Sequence, residues 1–332
     1  MKLNLQQITQ ITQGAVMVEY MGGAYRFYRM TDGEYDITEK TIADSTAGVI
    51  LEFKTDATKL SLKVNTELSM DIRSFFAFDI FCNKKFIGSI KNFNDEEMID
   101  EYGFKKFDIG EYSDEFELDK GENQVKIVMP HTLIGSIKEL ELTDATFVEP
   151  CKQDKILIAY GDSITQGYDG QHPSKTYAYA LGQHLNAEVY NKGIGGLVFE
   201  YKRVESSLHE TADYVSVAMG TNDWTVHTPE EIRRDAADFI KAVTKKYPDA
   251  VKFVITPIWR KSYKEEKIGG TFDGLAKIIT EEAAKYPDIK IIQGIDLVGH
   301  SPEFYGDGGL HPNDKGFEMY GENLNKELDK LL

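Results

Sequence analysis

The stretch Lys155-Ile156-Leu157-Ile158-Ala159-Tyr160-Gly161-Asp162-Ser163-Ile164-Thr165 decides how the C-terminal half of this chain is read. Its apolar run, 155–160, has the length and continuity of a strand buried on both faces. Gly161 permits a tight path out of that strand, and the residues after it can open a helix whose first N–H groups face Ser163. A second apolar run, 214–219, ends in Gly220-Thr221-Asn222-Asp223. A third stretch, Gly309-Leu310-His311-Pro312-Asn313, lies near the C-terminus, before a helical pattern. Acyl transfer through serine needs a nucleophile, a base and donors for the oxyanion. Ser163, His311 and Asn222 supply those three chemistries from places where open α/β sheets build their sites. Each also has a structural reading: a turn serine, a loop histidine packed on the last helix, and an asparagine capping a helix.

Around this stretch the hydrophobic period changes. From about residue 153, apolar runs at 155–160, 187–190, 213–219, 251–256 and 288–292 alternate with helical stretches at 174–186, 229–246, 271–286 and 314–331. In the last of these, Phe317, Tyr320, Leu324 and Leu328 fall on one face. Such alternation predicts a five-stranded parallel sheet with helices on both faces. Before residue 148 the period is two. Val49, Leu51 and Phe53, a turn at 55–58, and Leu60, Leu62 and Val64 read as a hairpin. Further strands are expected at 76–81, 85–90 after an Asn83-Lys84 turn, 125–129 and 137–142, together an antiparallel β-sandwich. The expected domains are therefore 1–148 and 153–332, joined near Pro150.

The chain has 332 residues, 41% of them hydrophobic and 28% charged, as in an ordinary globular protein. A formal net charge of −17 argues against nucleic acid or an anionic membrane as partner, because phosphate recognition needs clustered Lys and Arg. The first residues have no apolar core of signal-peptide length, and no segment is apolar enough to span a bilayer, so a cytoplasmic location is expected. Cys82 and Cys151 are the two cysteines, and no Cys/His cluster has metal-ligand spacing. Neither a metal nor an organic cofactor is expected.

Taken together, these blocks resemble the SGNH/GDSL hydrolase superfamily of serine esterases and acyltransferases. Gly161-Asp162-Ser163 matches its GDS motif, and Asn191-Lys192-Gly193-Ile194-Gly195-Gly196 its glycine block. Gly220-Thr221-Asn222-Asp223 matches GxND, and His311-Pro312-Asn313 matches part of the histidine motif. The resemblance covers about 153–332. It implies a flavodoxin-like α/β/α domain with Ser163 as nucleophile and His311 as base. It also implies an oxyanion hole from the N–H groups of Ser163 and Gly196 (Gly195 being the second choice) and the Asn222 amide. The sequence departs from the family at the acid: Gly308 stands three residues before the histidine, and Asp307 four before. Either Asp307 still reaches His311, or a backbone carbonyl orients the imidazole.

The N-terminal half resembles the jelly-roll-like domain of carbohydrate esterase family 2 and related proteins, with 121–131 as the characteristic segment. That resemblance implies hydrolysis of short acyl esters, often acetyl, on the hydroxyls of a carbohydrate or glycoside. The substrate would be a small molecule or an oligosaccharide. The rivals are an acyltransferase using the same residues and a carbohydrate-binding protein with a silent hydrolase domain. Trp224, Trp259 and Arg260 follow predicted strand ends and are candidates for substrate contact, or for packing.

Overall fold

A computed structural model describes residues 1–69, 73–94, 99–100 and 103–332. The chain divides into two compact units: Met1–Met30, Lys40–Asp154 and Gln171–Ser174 form the first, and Thr31–Glu39, Lys155–Gly170 and Lys175–Leu332 the second. No helix among the described residues is long and apolar enough to cross a membrane.

Two larger antiparallel sheets, beside a two-stranded ladder of Ile99–Asp100 with Gly103–Phe104, build the described part of the first unit. One orders Thr12–Gln13, Ile50–Thr55, Asn123–Val128, Ala77–Cys82 and Lys85–Lys91, with Val148–Pro150 also on Ile50–Thr55. The other orders Glu111–Glu117, Lys59–Leu68, Leu133–Thr143, Ala24–Tyr28 and Met17–Met21. Asn83 and Lys84 form the expected tight turn, both with positive φ (52° and 67°), the geometry whose twist suits a two-residue hairpin. Cys82 and Cys151 are both free thiols.

The expected hairpin across 49–64 does not form. Ile50–Thr55 and Lys59–Leu68 lie in different sheets, so Leu51 and Phe53 belong with Leu60, Leu62 and Val64 to one buried core instead of sharing a sheet face. The turn itself is the reason. Ala57 is fully buried, and Thr55 Oγ1 donates to the Phe147 carbonyl at 3.0 Å while accepting from the Ala57 N–H at 3.2 Å. A connection anchored in the core carries the chain from one sheet to the other. Alternation reports which face of a strand is buried, not which strand lies beside it.

In the second unit, strands β1 (Lys155–Gly161), β2 (Ala187–Asn191), β3 (Tyr214–Ala218), β4 (Val251–Ile255) and β5 (Ile289–Ile292) form one parallel sheet in the order β2-β1-β3-β4-β5. That is the flavodoxin-like order, which reverses direction at β1 and places ligands beyond its carboxyl end. Besides the four-residue helices Lys202–Glu205 and Asp223–Val226, the helices are α1 (Ser163–Gln166), α2 (Tyr177–Leu185), α3 (Pro229–Lys246), α4 (Phe272–Ala283) and α5 (Asp314–Leu331). Leu157 and Ala159 of β1 share a core with Leu181 of α2 and with Phe317, Leu324 and Leu328 of α5. Tyr160, on the opposite face, meets Phe239 of α3 edge-on at 5.6 Å. Start signals are local: α3 opens on a Thr228/Glu231 capping box with Pro229 in its first turn, and α5 on Asn313.

The segment Thr31–Glu39 enters this unit through charge. Glu34 Oε1 lies 2.7 Å from Lys192 Nζ, with side-chain exposures of 2% and 3%, while Glu39 accepts from both terminal nitrogens of Arg203 at 2.7 and 3.0 Å. Removing one partner of a buried pair strands the other charge, at about 3–5 kcal/mol. Glu34→Ala is therefore expected to lower unfolding stability in urea by that amount, and Lys192→Met in the same chain to restore much of it. A loss below about 1 kcal/mol in the single variant contradicts this account.

Candidate active site

Crowding at the end of β1 sets the site. A Cβ on Gly161 would lie 1.7 Å from Thr165 Oγ1 and 2.9 Å from the Ala218 carbonyl oxygen, so the strand can turn into α1 only with glycine there. Asp162 then caps α1, its Oδ1 accepting from the Ile164 N–H at 2.9 Å. Burial pushes the Asp162 carboxyl up to about 6, against the opposing pull of that N–H and of His311. The cap leaves Ser163 as the first residue of the helix, buried at the strand's carboxyl end.

The chain after β2 closes over this turn. The Ile194 N–H donates to the Gly161 carbonyl at 3.3 Å, and the Asn191 amide to the Thr165 carbonyl at 2.7 Å. Gly193 faces α1 so closely that a Cβ would sit 2.5 Å from the Gln166 nitrogen. The Gly195 N–H donates to Gln166 Oε1 at 3.0 Å and is thereby engaged. Gly196, exposed and with φ of +84°, follows in a left-handed conformation that a side chain would strain. Asn222 reaches the same loop, its Nδ2 donating to the Leu197 carbonyl at 2.9 Å. It precedes the short helix Asp223–Val226 but makes no side-chain cap bond to it. Asp223 is wholly buried and accepts from the Phe199 N–H at 3.1 Å, tying the two loops together.

His311 arrives from the loop before α5. Its Nε2 lies 2.8 Å from Ser163 Oγ, and its Nδ1 lies 2.8 Å from Asp307 Oδ2. The other oxygen, Asp307 Oδ1, accepts from the N–H groups of Gly309, Leu310 and His311 at 3.0, 2.7 and 3.1 Å. Gly308, at φ +76°, turns the chain tightly enough for this wrap, which is how an aspartate four residues back reaches the ring. Burial opposes ionisation of Asp307, but the imidazole and the loop N–H groups outweigh it and hold the carboxyl well below the usual carboxylate range. Asn313 caps α5, accepting from the Gly316 N–H at 3.1 Å.

Of the three candidates for substrate contact or packing, the two tryptophans pack and Arg260 is half-buried. Trp224 is fully buried, donates from Nε1 to the Gly270 carbonyl at 2.8 Å and packs edge-on against Phe272. Trp259, 5% exposed, lies among Tyr263, His300 and Tyr305. Neither indole offers an open face to a sugar ring, because each strand end where it sits is already covered by a loop of the same unit. Arg260 is half-buried: Nη1 donates to the Thr221 carbonyl and hydroxyl at 3.2 and 3.1 Å, and Nε to Ser262 Oγ at 3.0 Å. Its guanidinium lies over the Trp224 ring at 5.2 Å.

One neighbour of His311 was not legible as such. Asp169, 2% exposed, puts Oδ2 3.7 Å from His311 Nδ1. The sequence shows it only as the residue after Tyr168, with nothing in the local pattern to mark it. Asp169, Asp307 and His311 are also the one grouping of metal-ligating side chains among the described residues. Its imidazole nitrogen already faces Asp307, and two anions around a ring that can take a proton fit an imidazolium without any metal.

Residues 159–319 match the GDSL-like lipase/acylhydrolase family. The C-terminal part of this chain is similar to that family, and the protein is an enzyme of the esterase class. No curated protein matches the sequence significantly. Similar solved structures include the salicylyl-acyltransferase SsfX3 from a tetracycline biosynthetic pathway (17% identity, TM-score 0.77, 96% of this chain and 94% of that one). A family two carbohydrate esterase from Clostridium thermocellum, in complex with cellohexaose, aligns at 15% identity and TM-score 0.60, covering 90% and 98%. The acetyl xylan esterase Est2A from Butyrivibrio proteoclasticus aligns at 16% and 0.57, covering 86% and 91%. At these identities the likeness is one of fold.

Gly161→Ala is expected to lower stability by about 1–3 kcal/mol through overpacking and to reduce esterase activity at the same time. Denaturant unfolding and an ester assay on one preparation check this; unchanged values in both refute the crowding argument.

Proposed function

We propose that the protein is a serine esterase acting on short O-acyl esters, acetyl foremost, of carbohydrates or glycosides. The observation that carries the reading is the continuous line from Asp307 Oδ2 through the His311 ring to Ser163 Oγ, with 2.8 Å at both ends. With the Nδ1 proton directed to Asp307, Nε2 is left as an acceptor for the Ser163 proton. Ser163 Oγ attacks the ester carbonyl while its proton moves to Nε2. The carbonyl oxygen becomes an oxyanion, received by the N–H groups of Ser163 and Gly196 and by the Asn222 amide. Donors fixed in this way are worth about 2.7–4 kcal/mol each in comparable sites.

Engagement of the Gly195 N–H by Gln166 favours Gly196 as the glycine donor. The Leu197 carbonyl holds one amide hydrogen of Asn222, which leaves the other for the oxyanion. Collapse of the intermediate breaks the bond to the alcohol, which takes the proton from Nε2 and departs. Water then repeats the sequence on acyl-Ser163, giving the free acid and the original serine. The carbohydrate assignment draws on the likeness to the cellohexaose-bound and acetyl xylan esterases.

Acyl transfer is the second reading, favoured by the likeness to the salicylyl-acyltransferase. It differs only in that an alcohol takes the place of water at the second step. A binding protein with a silent hydrolase domain gains nothing from an aligned serine, imidazole and carboxylate, and this alignment weighs against it. Trp224 and Trp259 are left out of the substrate site for their burial, while Arg260 stays beside it through Thr221.

Ser163→Ala is expected to lower kcat on p-nitrophenyl acetate by about 10⁴-fold or more with the fold unchanged by circular dichroism. Residual activity above a few percent excludes Ser163 as nucleophile. Acetyl esters are expected to exceed octanoyl esters in kcat/KM, and the reverse order removes the short-acyl assignment. Because Asp307 is held well below the usual carboxylate range, it stays ionised through the working pH. Asp162, pushed up to about 6, is expected to titrate within the acid limb of kcat/KM, whereas Asp307 adds no step of its own there and acts on it only through its bond to the His311 ring. An acid limb unchanged in Asp307→Asn contradicts the coupling of the two.

A further inference from the structure

We propose that Asp169 is a positioning residue for His311, a second carboxylate on the Nδ1 edge of the ring that shares with Asp307 the stabilisation of the imidazolium. The inference rests on the reading of Ser163 and His311 given above. Asp169 Oδ2 stands 3.7 Å from Nδ1, beyond a hydrogen bond but in contact, and the residue is almost fully buried. Two features hold it there. Its backbone is left-handed, at φ +68°, which turns the chain after Tyr168 toward the ring. The loop carrying Asp307 also passes directly over it, since a Cβ on Gly306 would fall 2.5 Å from Asp169 Cβ. Any side chain at 306 would drive the carboxylate out of its place.

The chemistry follows from charge. Asp307 spends Oδ1 on three loop N–H groups and gives the ring a single oxygen. When Nε2 accepts the Ser163 proton, the ring gains a full positive charge in a buried site. A second anion in contact with it favours that state more strongly than a solvated one can. Other groups around the ring include the Ser163 hydroxyl at Nε2, the Tyr168 ring at 5.5 Å and the Asp162 carboxyl, whose charge also acts on His311. Arg260 acts in the opposite sense, through Asp307 and Asp162. Asp169 also stands where it can accept the Nδ1 proton after a small swing of the ring, so each carboxylate can partly replace the other.

Asp169→Asn tests this, because asparagine tolerates the left-handed backbone while losing the charge. Expected are a fall in kcat of about 10-fold with KM changed less than twofold, and an acid limb displaced by about one pH unit toward lower pH. Asp169→Glu, which keeps the charge, is expected to recover most of that displacement. Asp169→Asn combined with Asp307→Asn is expected to fall below the product of the single effects, to the level of His311→Ala. Should the amide variant not fold, Asp169→Gly carries the same expectation, since glycine accepts the backbone freely. A neutral variant with unchanged kcat and acid limb overturns the proposal, as does a double variant no worse than Asp307→Asn. Titration of the His311 ring by NMR in a Ser163→Ala background reads the same charge without turnover. Equal midpoints with and without the Asp169 carboxylate also overturn the proposal. Activity surviving in Ser163→Ala is a separate outcome, and removes the parent reading instead.

Discussion

Space at the carboxyl end of β1 is the constraint on which the second unit depends. Gly161 lies against Thr165 and the Ala218 carbonyl, and Gly193 lies against the backbone of α1, with no room for a Cβ at either position. The close approach at Gly161 lets the strand turn at once into a helix. At Gly193 it lets the loop after β2 sit on that helix. The loop that carries Gly196 is therefore drawn onto the helix that opens with Ser163, and Asn222 is tied to the same loop through the Leu197 carbonyl. Interiors packed to this density shift rather than compress when an atom is added.

Charge is managed by pairing at close range. Asp307 divides its two oxygens between its own loop and the imidazole, so one side chain both folds the loop and fixes the ring. The same economy appears at Glu34, whose Oε2 accepts from the Thr31 N–H and hydroxyl while Oε1 meets Lys192. Lys192 lies between Asn191 and Gly193, in the loop that covers α1. A buried ion pair thus stands behind that loop, where the cost of an unpaired charge is highest.

Loops, not strands, carry the differences between what the chain suggests and what it builds. Apolar runs and helical faces place all five strands of the parallel sheet and its four long helices within a few residues, since each is a local pattern of period or length. The tryptophans were ambiguous for a physical reason: an indole after a strand end can face a cleft or seal it, and its own sequence is the same in both cases. Trp224 seals it, with Phe272 of a distant helix against its ring and Gly270 taking its N–H. The 49–64 segment failed similarly, because Thr55 is anchored by Phe147, a residue far along the chain.

The sequence by itself determined the two architectures, through a period of two in the first part of the chain and strand–helix alternation in the second. It also put forward Ser163, Asn222 and His311 as candidates for one site, because motif chemistry is written in residue type and order. Only the tertiary structure decided which sheets the early strands enter, that Asp307 reaches His311 despite its shifted position, and that Asp169 stands beside it. Those outcomes turn on distances of a few ångströms between segments remote in the chain. A left-handed turn at Gly308 and the missing Cβ of Gly306 set those distances only once the loop is closed against the rest of its unit.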